Sequence, residues 1–296
     1  MNSSCDTKET DISPRNLTIE ESLLITLSVL TAISHIFGVA VLVRLRSQLN
    51  QNFIIINLAI TEIIACLTYA ALSMFQGIYY MFLIMVSGLA IRLLMMALVA
   101  DRFLEIYLDI RYLITITKGR VFKFNCLVWV VSVAYGLSQS ILTFVDSKSG
   151  FKIPVDQAYL IHNYILGIAD AIFMILATSV YSYFYYKIRA NNSKDSSQRK
   201  DKEHKARCNS AFNFRIPFVI VCTYLIFNVT SNVVFQLHRY RMEGVSDGHC
   251  TPYSLLLNLG CLLRLSGYLS DAFVYIFMQK NIQKLFKRRI LPQTND

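Results

Sequence analysis

Seven long apolar stretches divide this chain, separated by polar gaps. A bilayer core of ~30 Å is crossed by roughly 20 apolar residues in helical form. Ser22–Val43, Phe124–Val145 and Ile216–His238 meet that length without one Asp, Glu, Lys or Arg. Gln157–Tyr186 carries one charge, Asp170, and Thr251–Gln279 carries Arg264 and Asp271. The run Ser47–Ile91 holds only Glu62 but is too long for one span; it divides at its weakest point, Ser73-Met-Phe-Gln-Gly77. The pattern predicts an all-α integral membrane fold of seven spans, at 22–45, 53–74, 78–102, 123–145, 157–188, 205–238 and 252–278. Residues 1–21 are a polar outer segment, and 280–296 form a short tail. A soluble helical protein would show one apolar stripe per helix. These segments are apolar on every face, and 54% hydrophobic with 16% charged residues is far from soluble composition.

Charge sets the orientation. Twenty of the 29 Lys and Arg fall in the tail and in or at the borders of the gaps after spans one, three and five. Six fall on the other side, and Arg92, Arg215 and Arg264 complete the set. The positive-inside rule then puts the N-terminus outside and the C-terminus in the cytoplasm. The net charge of +10 is mostly this bias, so no nucleic-acid partner is needed. Residues 1–21 lack the pattern of a cleaved signal, and span one is expected to direct insertion. Asn2 and Asn16 open glycosylation sequons on the outer side, as expected of a glycoprotein. Cys66, Cys126, Cys222 and Cys261 lie in spans and read as buried packing residues. Cys5 and Cys250 alone face the oxidising side, where they can bridge the N-terminal segment to the last outer loop or stay free.

Enzyme chemistry is not visible. There is no Gly-rich phosphate loop, no Gly-x-Ser-x-Gly and no His-Glu-x-x-His, and His249-Cys250 is too sparse for a metal site. No internal repeat of the transporter kind is present.

Five short motifs fall in order on successive spans. Asn57-Leu-Ala-Ile-Thr-Glu62 opens span two, and Ala100-Asp-Arg-Phe103 closes span three. Trp129 is in span four, Val180-Tyr181 ends span five, and Asp271-Ala-Phe-Val-Tyr275 ends span seven. Lys280-Asn-Ile-Gln-Lys-Leu-Phe286 then reads as an amphipathic helix on the inner surface. This set resembles the class A (rhodopsin-like) G-protein-coupled receptors across the whole chain. The resemblance implies a receptor that relays an extracellular ligand to a cytoplasmic heterotrimeric G protein. It implies that Arg102, at the inner mouth of its helix and within reach of water, is held at rest by Asp101. On activation Arg102, Tyr181 and Tyr275 would regroup around the G-protein tail helix, with Ile110 inserting from the loop. Glu62 and Asp271 would form an inner polar cluster of the kind that can hold sodium, here without the usual Asn and Ser partners.

The departures are many. Ser34 or His35 stands where the family has an Asn in span one. The Cys-Trp-x-Pro of span six reads Cys222-Thr-Tyr-Leu225, losing the aromatic switch and the kinking proline. Phe173 falls near the place of the fifth-span proline, and Ala272 replaces that of span seven. Gly77 stands where the outer-disulfide cysteine would be. A missing outer disulfide, a missing fifth-span proline and short outer loops resemble the melanocortin, lipid and cannabinoid receptor cluster. Together they suggest a divergent, orphan receptor. Span seven contains no lysine, so no retinal Schiff base can form, and no other cofactor is indicated. Ile84 lies where amine receptors carry an aspartate, which argues against a monoamine ligand. The competing readings are a signalling-deficient seven-helix binding or dimerising partner and, behind it, a transporter or channel.

Charges inside spans are costly and tend to be functional. At ~1.5 Å rise per residue, Arg92, Asp170 and Arg264 each lie about 15 Å from the inner surface, and Glu62 reaches a similar layer. Arg264 and Asp271 are seven residues apart and share a helix face. Arg92 with Asp170 reads as an internal ion pair; Arg264 reads equally as a ligand contact or an internal partner. With Leu225 in place of the proline, the usual bend of span six should be weak or absent there, and a helix that extends back toward Lys205 should kink at Pro217 instead.

Overall fold

The computed structural model describes residues 19–44, 49–74, 78–108, 111–149, 155–194, 218–243 and 253–277. Cys5, Cys250, Asn2, Asn16, Ile110, Pro217 and the amphipathic segment 280–286 lie outside the described residues, so the expectations placed on them stay as sequence readings.

Among the described residues every element is helical. α1 is Ile19–Arg44, α2 Leu49–Met74 and α3 Ile78–Leu108. A one-turn α4, Tyr112–Thr115, leads into α5, Lys118–Ser149, and α6, Val155–Lys194. α7 covers residues 218–243 and includes the wide turn Leu225–Val229 followed by Thr230–Glu243. α8 is Tyr253–Phe277. All but α4 are long and apolar enough to cross a membrane, the architecture of a multi-pass membrane protein. Several run past the expected spans, because a helix continues wherever water or headgroups can solvate its ends.

Their outward faces explain why water is the wrong solvent. Val130, Ile168, Ile175 and Ile226 are each at least 60% exposed on the helix surfaces. Apolar exposure on that scale marks contact with lipid or partner. Inside hydrocarbon each backbone N–H and C=O must be bonded within the segment, which selects helix. The spans hide their hydroxyls in the same way: Thr31, Thr61, Thr68 and Ser266 donate to the carbonyl four residues earlier at 2.7–2.8 Å.

The candidate spans of α2, α3 and α8 are 61%, 61% and 56% buried, against 33% or less for the others. They are therefore the central helices. α1 packs on α2, α2 on α3 and α3 on α5, while α8 packs on both α1 and α7. Leu58, Leu94, Leu98, Phe173, Ile220 and Leu265 fill the middle. The α7–α8 contact depends on small residues. A Cβ on Gly260 would stand 2.7 Å from the Phe235 ring, and one on Gly267 would stand 2.8 Å from Phe227 Cβ. Two phenylalanines of α7 thus sit directly on the α8 backbone, Phe235 through its ring and Phe227 through its Cβ.

The four span cysteines do not share the burial expected of them. Cys66 is buried, Cys222 and Cys261 are half-buried, and Cys126 is exposed. Cys126 lies on the outward face of a peripheral helix, where apolar character suffices without packing.

Candidate functional site

The polar residues buried in the bundle form three groups along its length. The first surrounds Arg102, near the C-terminal end of α3. Its Nη2 donates to Asp101 Oδ2 at 2.6 Å, and its Nη1 to Glu105 Oε2 at 2.5 Å. Tyr112, from α4, donates its phenol to the other oxygen of Asp101. Burial and this bond to Asp101 push the Tyr112 phenol above its usual range, so the hydrogen bond persists at physiological pH. Arg102 was expected to reach water; it is buried, with only 1% of its surface exposed. Two carboxylates and a phenol close over it. Sequence reasoning found Asp101 but missed Glu105, although three residues along a helix is contact spacing. It also missed Tyr112, whose approach depends on the path of the α3–α5 connection.

Tyr181 and Tyr275 are not gathered with Arg102 in this conformation. Tyr181 lies within electrostatic reach of Arg102 and packs edge-on against Phe218, 4.9 Å between centroids. Tyr275 belongs to the second group, with its hydroxyl 3.4 Å from Glu62 Oε2 and its ring against His35.

That second group holds Glu62 and Asp271, which face one another within hydrogen-bonding reach. Of the two residues offered for the missing span-one Asn, Ser34 bonds its own helix at Leu30 and His35 enters the cluster. His35 Nε2 lies 2.8 Å from the Tyr268 carbonyl and 3.4 Å from Glu62 Oε2. A carbonyl only accepts, so Nε2 carries a hydrogen. Thr223 of α7 donates to Asp271. Three of the groups around the two carboxyls can therefore donate. Only the His35 Nε2 is fixed as a donor, since the Thr223 and Tyr275 hydroxyls also carry acceptor lone pairs, and these contacts neither make nor exclude a sodium site. Among the described residues no group of His, Cys, Asp and Glu is arranged to hold a metal.

The third group lies at mid-span. Arg92 Nε and Nη2 grip the two oxygens of Asp170 at 2.9 and 3.0 Å, and its Nη1 donates to Gly88 O. Tyr224 donates to Asp170 Oδ1 at 2.7 Å, and Asn232 donates to Oδ2. Arg264 Nη2 donates to Asn232 Oδ1 at 2.5 Å, Nη1 donates to Tyr69 at 3.0 Å, and the guanidinium lies over Phe235 at 5.0 Å. One connected chain thus joins α2, α3, α6, α7 and α8.

The turn Leu225–Val229 makes this possible. The expectation there was only that the proline bend be weak or absent; the segment is a π-turn, with one residue more per turn. Tyr224 and Asn232 are eight residues apart, about 80° around an unbroken α-helix. One inserted residue brings them within about 20°, on a single face. Both then reach Asp170. The helix gives up its regular register so that two donors can satisfy one buried carboxylate. Tyr224 also meets Phe173 edge-on at 5.3 Å, filling the space near the absent fifth-span proline.

Compared with known proteins, the chain matches no family model and no curated protein at a significant level.

Proposed function

We propose that this chain is a divergent receptor of the class A G-protein-coupled type, sitting in the plasma membrane with its N-terminus outside. An extracellular ligand, not a monoamine, would shift the bundle and open its cytoplasmic end to a heterotrimeric G protein. The observation that carries the reading is the Arg102 enclosure. A permanently charged guanidinium is buried at the end of a central apolar helix, inside Asp-Arg-Phe, and is held by carboxylates on its own helix. A charge buried at such cost is useful if it can be released. The continuous polar chain from Arg92 to Arg264 supports the same reading, since it ties five helices at the depth where a ligand would act.

The test is second-messenger output in cells, without added ligand, at matched surface expression. Arg102→Ala should abolish it. Glu105→Gln should raise it about two- to fivefold, because a half-exposed ion pair contributes up to about 1 kcal/mol. Equal output from wild type and both variants would refute the receptor reading and favour the signalling-deficient binding partner, which the lost Cys-Trp-x-Pro residues of span six also suggest.

A further inference from the structure

Two guanidiniums and one carboxylate make up the charges of the mid-span chain. Asp170 is fully committed to Arg92 through both oxygens. Arg264 is therefore left with neutral hydrogen-bond partners among the described residues, a phenol and an amide. Asp271, on the same face, is seven residues away, about 10 Å along the helix. Arg264 is 92% buried, and its Nε–H is a donor with no acceptor among the described residues. A guanidinium does not shed its proton, so among the described residues of the mid-span chain one positive charge has no carboxylate in hydrogen-bond contact.

We propose that Arg264 is the anchor for a carboxylate carried on an apolar body, and that this is the ligand class of the receptor. The inference rests on the receptor reading for its consequence but not for the binding itself. The Nε and Nη2 hydrogens form the edge of the guanidinium that grips a carboxylate in two parallel bonds. Nε has no acceptor among the described residues, and Nη2 is lent to Asn232. A monoanion cancels the one excess charge, whereas a phosphate dianion would reverse it. The body must be apolar because the anchor is enclosed by Phe235, Tyr69 and the spans around them. By taking Nη2, the carboxylate releases Asn232, which also holds Asp170. Ligand binding on α8 is thereby transmitted to the π-turn of α7 and to α6.

The carboxylate could arrive from the bilayer or from water, and the experiment separates the two. Full-length protein in phosphatidylcholine nanodiscs is titrated with tritiated oleate, with methyl oleate and hexanoate as competitors. Saturable oleate binding, displaced by oleate but not by the uncharged methyl ester, is expected. Arg264→Gln, which keeps hydrogen-bonding capacity, should weaken it at least tenfold. Displacement by hexanoate would assign a water-soluble acid; resistance to it would assign a membrane amphiphile. Equal displacement by the methyl ester on the wild-type protein would overturn the proposal, even if the variant misfolds. So would saturable binding of neither acid, or equal oleate binding by a well-folded Arg264→Gln. No G protein is present in the assay. A failure of the Arg102 signalling test alongside Arg264-dependent binding would therefore sink the receptor reading alone.

Discussion

Asp170 shows what a single buried charge is worth. It accepts from Arg92 twice, from Tyr224 and from Asn232. Removing its charge leaves Arg92 buried without a counter-ion, a loss of about 3–5 kcal/mol when one partner of a buried pair is deleted. Asp170→Asn should therefore lower the melting temperature of the purified protein steeply. The double variant Arg92→Met, Asp170→Leu should recover most of that loss, since apolar side chains of similar volume avoid the desolvation cost. A single variant that melts with the wild type would mean the pair contributes nothing. The pairing was legible before the structure, because depth along a helix follows from residue counting and both side chains come out at one level. The partners of Arg264 were not. Tyr69 and Asn232 are polar residues inside apolar runs, and nothing in their own spans says which neighbour they face.

At the scale of the element, α7 is the informative helix. Its π-turn supplies the register that lets Tyr224 and Asn232 share Asp170, while Phe235 lies on Gly260 beneath the Arg264 guanidinium. A one-residue bulge can be deleted without rotating the downstream helix away from the contacts that matter. Deleting Ile226, which is 62% exposed within the turn, leaves Tyr224 and Asn232 seven residues apart and still on one face. That variant should reach the surface within about twofold of wild type. Deleting Val233, 52% exposed but outside the turn, rotates Phe235 by about 100° off Gly260. It should be lost to quality control. Flow cytometry of tagged cells compares the two, and equal expression would show that the turn is not a tolerated insertion. The missing proline argued for a weak or absent bend at Leu225. The helix departs from regularity there by another device, because the reason for a break is the contacts across the bundle and proline is only one way to make it.

For the whole molecule, the bias of twenty Lys and Arg to one side predicts the orientation. An epitope placed before Ile19 should stain intact cells, and one placed after Phe277 should stain only permeabilised cells. The reverse pattern would invert every outer and inner assignment made from charge, including the glycosylation expected at Asn2 and Asn16.

The residues alone determined the number of apolar helices, their approximate limits and the depth of each charge. These follow from local sums, of apolar length against bilayer thickness and of rise per residue along one helix. Only the tertiary structure decided that α2, α3 and α8 are central, that Glu105 and Tyr112 enclose Arg102, and that His35 rather than Ser34 joins Glu62. It alone left Arg264 with a phenol and an amide as its partners among the described residues. Those outcomes depend on how each helix is rotated about its axis against its neighbours. A segment apolar on every face carries almost no signal for that rotation, so packing between helices sets it.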